Sequence, residues 1–322
     1  MKPGGSPILS GTPKAWKSIR FPNFGNKLWS YRAFYLMLLP GLIYFIMFKY
    51  VPMYGILIAF KEFNFSDGIL FSAWADPWYK YFQMFYESPY FSQVLTNTFL
   101  ISFYKMVFGI IPPILFAILL NECRIRWFKS FIQTLAYMPH FLSWVIIFGI
   151  LLAFFSENSG LINRWIQDMG GNPIQFLTST QYFRSILIGS DVWKDLGWGA
   201  IIYLAAMTSI DPTLYEAAKV DGAGRFRMIW HITLPGIRSV MVMLLILKLG
   251  HVMDAGFDQI YILYNIQVYE VADILDTWVF RTGLHQLNFS LAAAVGLFKS
   301  LIGMVLILFS NRLAKRWGEG IW

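Results

Sequence analysis

A helix that crosses a membrane needs about 20 mostly apolar residues, and this chain supplies six such runs. They lie at about residues 33–60, 91–120, 131–155, 183–210, 236–264 and 289–313. The expected fold is therefore an all-α integral membrane protein of six transmembrane helices. Composition agrees: 57% of residues are hydrophobic and 14% charged, with a mean hydropathy of +0.53, well outside the range of soluble domains. The 19% aromatic content fits both interfacial belts of Trp and Tyr and stacking on sugars.

Two runs are interrupted. Pro112-Pro113 must kink or break the second, and Pro139 interrupts the third, because proline removes a helical hydrogen bond. Breaks of this kind are tolerated where helices line a cavity. Between the runs, charge separates by sign. Lys14, Lys17, Arg20, Lys27 and Arg32 precede the first run; Arg124, Arg126 and Lys129 follow the second; Arg312, Lys315 and Arg316 end the last. Residues 61–90 carry Glu62, Asp67, Asp76 and Glu87 instead. Positive charge stays cytoplasmic, so both termini are expected inside. Residues 61–90, 156–181 (with a short surface helix near 162–169) and 265–288 are expected outside. Residues 1–32, rich in Gly, Pro and Ser, read as a disordered basic cytoplasmic tail, and residues 33–322 as the transmembrane domain. No small-residue cleavage site follows the first run, so it is expected to be retained. The net charge of +8 is thus a topology signal and does not call for nucleic acid. A lone Cys123 excludes an internal disulfide and suggests no metal cluster.

Between the fourth and fifth runs lies a polar island, residues 211–235. Asp211 can cap a helix that starts at Pro212, with Thr213 and Glu216 at capping spacing. That helix should stop at Asp221-Gly222, where glycine can adopt the left-handed conformation. A second short helix is expected from about Arg225 to His231, ending at Leu234-Pro235. The paired Ala217 and Ala218 give a flat face that another protein can approach, with Glu216, Arg225 and Arg227 around it as orienting charges.

Glu216-Ala217-Ala218, Gly222 and Ile232-Thr233-Leu234-Pro235 at these spacings resemble the EAA signature of the membrane subunits of binding-protein-dependent ABC importers. The likeness extends to Asn97-Thr98, Met138-Pro139-His140, the stretch from Asp191 to Trp198, Val271 to Thr277, and Asn311-Arg312-Leu313. These are similar to the polysaccharide branch, and within it to the first membrane subunits of alginate importers. The resemblance implies a type I importer permease fold with a shared core at about 91–313 and a cytoplasmic coupling helix. It gives Glu216, Ala217, Ala218, Asp221, Gly222, Arg225 and Pro235 the task of coupling to an ATP-hydrolysing subunit. It also implies a multi-pass protein of the bacterial cytoplasmic membrane. The expected partners are a related second permease as heterodimer, two ATP-binding subunits, an external solute-binding protein, a saccharide and membrane lipid.

The chain carries no G-x-x-x-x-G-K-[S/T] or H-E-x-x-H pattern. No cofactor or metal is expected in this chain, ATP and Mg²⁺ being bound by the partner subunits, and no catalytic residue is assigned. Asp273 and Asp276 could be imagined as paired glycosidase carboxylates but read as groups that solvate an outer loop or dock a binding protein. Lys105, Lys248, His251, Asp254 and Lys299 lie inside the runs, where each costs several kcal/mol against lipid, so they should face the protein interior. Lys248 and Asp254 or Asp258 could instead be satisfied by neighbouring helices. Trp193, Lys194, Asp195 and Trp198 suit a sugar, whose ring faces stack on Trp while its polar groups take hydrogen bonds. With Asn97, Lys105, Lys248 and Asp254 they form the candidate substrate path. The lysines favour an acidic, alginate-like saccharide; if Asp191, Asp195, Asp254 and Asp258 neutralise them, a neutral oligosaccharide fits as well. From another class, an ion-coupled secondary transporter would use the same charges as coupling groups. A membrane enzyme acting on lipid-linked sugars would need a catalytic constellation that is absent.

Overall fold

The structure is a computed structural model and describes residues 29, 31–250 and 252–315. The expected basic tail falls mostly outside these residues, as do His251 and Arg316. The chain divides after Tyr54 into two units. In the first, α1 (Arg32–Phe45) continues through a π turn, Ile46–Tyr50, and Val51–Met53, and none of these residues is buried. The helical run Arg32–Phe60 is long and apolar enough to cross a membrane.

Among its described residues the regular structure of the second unit is helical apart from an isolated bridge between Lys61 and Trp74. Its principal helices are α2 (Phe91–Phe108), α3 (Ile111–Glu122), α4 (Arg126–Tyr137), α5 (Trp144–Phe155), α6 (Leu161–Asp168), α7 (Thr180–Thr208), α8 (Pro212–Val220), α9 (Arg225–Met228), α10 (Arg238–Gly250), α11 (Phe257–Leu263), α12 (Leu275–Phe280) and α13 (Phe289–Lys315). The long α7 runs through the middle and packs on α2, α3, α4 and α11.

Three apolar clusters hold these helices. Ile101, Ile147, Phe183, Leu187 and Ile260 join α2, α5, α7 and α11. Phe85, Val94, Leu275, Trp278 and Val295 join α2, α12 and α13. Ile114, Ala117, Ile118, Ala200, Tyr203, Met207 and Ile237 join α3, α7 and the start of α10. Within a bilayer such contacts stabilise through close packing rather than exclusion of water, so small residues matter. At Gly197 an added Cβ would collide with the Ala136 carbonyl, which lets α4 lie directly against α7.

Several expectations need correction. The run 131–155 is interrupted beside Pro139 as expected, but far more sharply than a kink. It folds into Arg126–Phe141 and Trp144–Phe155, which meet at 109°. Pro139 sits in a 3-10 turn, Met138–Phe141, and Ser143 caps the new helix by accepting from Ile146 N. The run 236–264 stops at Gly250, and α11 starts only after Gly256, whose φ of +89° turns the chain. The second run is broken as expected, at Gly109-Ile110 just before the two prolines. The surface helix expected at 162–169 is α6.

Three helical runs qualify as spans, or five if each bent pair counts as one. The expected sixth, α7, has 29 residues, about 43 Å at 1.5 Å per residue. It is long enough but carries Arg184, Asp191, Lys194 and Asp195, more charge than lipid tolerates, because its polar side faces protein.

The largest correction concerns residues 265–288. Far from being a solvated loop, this segment buries Asp273, Leu275, Thr277 and Trp278. Asp273 pairs with Arg281 at 2.6 Å and Asp276 with Lys299 at 2.6 Å, so the buried Asp273 and the half-buried Asp276 are each committed to a partner within the chain. The segment can be buried because α2 and α7 satisfy its backbone. Asn97 donates to the carbonyls of Glu270 and Asp273, each at 3.0 Å. Arg184 donates to Val271 O at 2.9 Å and to Asn97 Oδ1 at 2.6 Å. Thr98 Oγ1 accepts from Leu275 N at 2.9 Å.

Asn97→Leu should therefore strand two buried carbonyls and cost about 1–3 kcal/mol. It is expected to lower the thermal unfolding midpoint of the purified complex while leaving sugar preference in the folded fraction unchanged. An unaltered midpoint would remove this network as the anchor of residues 265–288.

Candidate functional site

Two places in the second unit combine exposed chemistry with fixed geometry. The first is the polar island. Asp211 accepts from Thr213 N at 2.9 Å, and Pro212 opens α8, whose missing N–H would be unpaired in any case. That backbone hydrogen bond lowers the Asp211 carboxyl below its ordinary range, so the cap persists above the ordinary carboxylate pKa and is lost only as pH falls through the lowered one. At the other end Gly222 has φ +73°, and Ala223 N donates to Ala218 O at 2.8 Å, the pairing of a left-handed glycine cap. No neighbour crowds Gly222, so its identity is set by backbone alone.

After Gly224 the chain runs through α9, a π turn at Ile229–Thr233, and Leu234–Gly236. The second helix thus runs through Pro235 to Gly236, one residue beyond its expected end. It then bends by 57° into α10. Tyr215 Oη and Thr233 Oγ1, 3.0 Å apart, tie the two arms together. Nothing covers α8: none of its residues is buried. Val220 is 88% and Phe226 90% exposed, beside the exposed Glu216 and Ala217.

The second place is an open cavity of about 480 Å³ among α2, α3, α7 and α10. Asp191, Asp195, Trp198 and Ile202 line it from α7, a spacing that returns to one face of a helix. Lys105 pairs with Asp191 at 3.0 Å and also donates to Gln259 Oε1. Gln259, fully buried, is held in turn by Leu187 O at 2.7 Å and Ser190 Oγ at 3.0 Å. Lys248 donates to Gly109 O at 2.8 Å. Asp195 Oδ1 lies 2.9 Å from His140 Nδ1, and the His140 ring stacks on Trp198 at 4.5 Å with parallel planes. Ser102, also on the wall, carries a buried hydroxyl with no hydrogen-bond partner.

Of the expected path residues, Lys105, Asp195, Trp198, Lys248 and Asp254 come together in this cavity. Three do not. Trp193 faces the other side of α7, in apolar grooves with Ile132, Leu196, Ile150 and Phe154. Lys194 is committed to the carbonyls of Pro139, His140 and Leu142 at 3.3, 2.7 and 2.6 Å. Asn97 belongs to the buried network already described. Nor does Lys248 pair with Asp254 or Asp258, since among the described residues its hydrogen-bond acceptor is a carbonyl. Ser102 joins the wall, and Gln259 stands buried behind it holding Lys105, without any signal in the sequence. Their surroundings along the chain are ordinary, and only the fold brings them there.

Residues 109–319 match the family described as "Binding-protein-dependent transport system inner membrane component". The chain is 48% identical, over 91% of its length and 91% of the relative's, to the polygalacturonan/rhamnogalacturonan transport system permease protein YteP of Bacillus subtilis (strain 168). Its fold is similar to that of a chain in a crystal structure of a bacterial ABC transporter involved in the import of the acidic polysaccharide alginate. The TM-score is 0.83 and the identity 37%, covering 91% of this chain and 98% of that one. A second such structure, of a bacterial alginate ABC transporter in complex with an alginate pentasaccharide-bound periplasmic protein, gives 0.85 and 36%, covering 92% and 99%. With the match over residues 109–319 and likeness along nearly the whole chain, the protein belongs to the family of binding-protein-dependent transport system inner membrane components, the non-enzymatic membrane subunits of ABC importers.

Proposed function

We propose that this chain is the permease subunit of an ATP-driven importer that carries oligosaccharides of an acidic, uronate-containing polysaccharide across the bacterial cytoplasmic membrane by alternating access. The observation that carries this reading is the cavity, where Trp198, stacked on the His140 ring, lines the wall together with two lysines, Lys105 and Lys248. An aromatic face takes the apolar side of a sugar ring, and the surrounding polar groups take hydroxyls and carboxylates. The polygalacturonan/rhamnogalacturonan permease and the alginate importer that the chain resembles support the acidic class. Family membership removes the secondary-transporter and lipid-linked-sugar enzyme readings.

In this proposal the chain has six spans, α7 among them, with both termini cytoplasmic. A related permease completes the path as a heterodimer, an external solute-binding protein delivers the sugar, and two partner subunits hold ATP and Mg²⁺. Residues 211–235 form the cytoplasmic coupling element. The exposed face of α8, with Glu216, Ala217 and Ala218, docks on an ATP-binding subunit, Asp211, Asp221 and Gly222 define its ends, and Arg225 orients it. Pro235 stands where the element bends into α10, so a rigid-body movement of α8 is passed on to the cavity wall.

Glu216→Lys reverses an orienting charge, and Gly222→Val forces a β-branched residue into positive φ, which costs of order 1–3 kcal/mol. Both are expected to abolish uptake and sugar-stimulated ATP hydrolysis in the reconstituted complex while the chain still inserts. Undiminished values in both would remove the element from the mechanism. Single cysteines at Asp76, Asn172 and Gln267 in a Cys123→Ser background are expected to react with an impermeant thiol reagent outside, and ones at Ala223 and Lys315 are not. Labelling at Ala223 from outside would invert the topology. For the substrate class, uronate oligosaccharides should stimulate ATP hydrolysis more than neutral ones of equal length, with the difference shrinking as salt screens the charges. Equal stimulation without salt dependence would exclude the acidic class and leave the importer in place.

A further inference from the structure

The break between α2 and α3 leaves a specific carbonyl without a helical partner. Gly109 O would normally accept from the N–H four residues on, but that residue is Pro113, which has none. Lys248 of α10 fills the position, its Nζ 2.8 Å from Gly109 O. The glycine makes room for it, since a Cβ there would stand 2.9 Å from the same nitrogen.

Lys248 differs from Lys105, Lys194 and Lys299. Lys105 and Lys299 each have a carboxylate partner at 3.0 and 2.6 Å, and Lys194 has three carbonyls. Lys248 is exposed to the cavity and, among the described residues, no carboxylate lies within ion-pairing distance of it. Asp191 and Asp195 attract it from farther off, yet each has a nearer partner, Lys105 and His140. Its hydrogen bond to a neutral carbonyl is therefore replaceable. A carboxylate entering the cavity offers a charge-assisted bond about twice as strong.

Resting on the acidic-saccharide reading above, we propose that Lys248 is the residue that reads the substrate's carboxylate: a uronate group takes its ammonium from Gly109 O, and the uncapped break between α2 and α3 is freed to bend. The consequence reaches the coupling element by contact. Beyond the break, α3 packs through Ile114, Ala117 and Ile118 against Ala200, Tyr203, Met207 and Ile237, and Ile237 lies at the bend where residues 225–236 join α10. Neutral sugars can fill the cavity but leave the Lys248 cap in place.

The test uses the complete reconstituted complex with Lys248→Met and Lys248→Arg. Spin labels replace the exposed Phe103 and Leu115, on either side of the break, in a Cys123→Ser background. In the unaltered chain, uronate oligosaccharide should broaden the distance distribution and neutral sugar should not. Lys248→Met should show the broad distribution without sugar, a raised basal ATP hydrolysis and an about tenfold smaller uronate preference, as expected for loss of one charge-assisted bond. Lys248→Arg should keep the preference. A preference and a distance distribution that survive unchanged in Lys248→Met would overturn the exchange while sparing the acidic-substrate reading. If the unaltered complex responds equally to both sugars, the acidic reading falls and the exchange falls with it.

Discussion

Backbone carbonyls at breaks in membrane helices must find partners, because the hydrocarbon around them offers none and each orphan costs several kcal/mol. In this protein a lysine from another helix serves the breaks. Lys194 of α7 gathers three carbonyls at the bend between α4 and α5. Lys248 of α10 takes the carbonyl stranded between α2 and α3. Lys105 of α2 reaches the start of α11 through Gln259, close to Gly256, where an added Cβ would lie 2.6 Å from its nitrogen. Lys194 and Lys248 each solve two problems together: they find acceptors for a charge that lipid would not tolerate, and they satisfy carbonyls left over at a neighbour's break, whereas Lys105 is held by side-chain oxygens. The broken helices are thereby cross-braced.

The cavity follows from that bracing. Breaks in α2–α3 and α10–α11 open space beside α7, and the residues of α7 spaced along one face supply Asp191, Asp195 and Trp198 to it. There Asp191 is paired with Lys105, Asp195 is hydrogen-bonded to the His140 ring, and Asp254 has no ion-pair partner among the described residues. Specificity for an acidic ligand would then rest on Lys248, the cavity lysine with no carboxylate partner among the described residues, rather than on a general positive field. The Asp273–Arg281 pair and the Asn97–Arg184 contacts have a different task. They let the segment between α11 and α13 lie buried beside the cavity wall with its backbone satisfied.

Local rules made the polar island legible. A capping Asp211, an N1 proline and a left-handed Gly222 each act within a few residues, so their spacing along the chain is enough to mark out α8. The end of the next helix was legible to within a residue of Pro235, but the π turn at Ile229–Thr233 before it was not. The bend of 109° after Phe141 escaped because hydropathy records that residues are apolar, not the direction in which they run. Asp273 and Asp276 looked like solvated loop residues because their partners, Arg281 and Lys299, are brought to them by folding. Trp193 and Trp198 looked alike on composition, and only the helical phase of α7 separates them.

That separation bears directly on where the sugar passes. Cysteines replacing Trp198 and Leu247, which face the cavity, and Trp193 and Leu196, which face the apolar groove, can be labelled one at a time in the assembled importer, in a Cys123→Ser background, with and without saturating saccharide. Slower labelling in the presence of sugar at positions 198 and 247, with no change at 193 and 196, is the result expected if the cavity between the broken helices is the translocation path. Protection at 193 and 196 instead would place the path on the opposite face of α7 and contradict it.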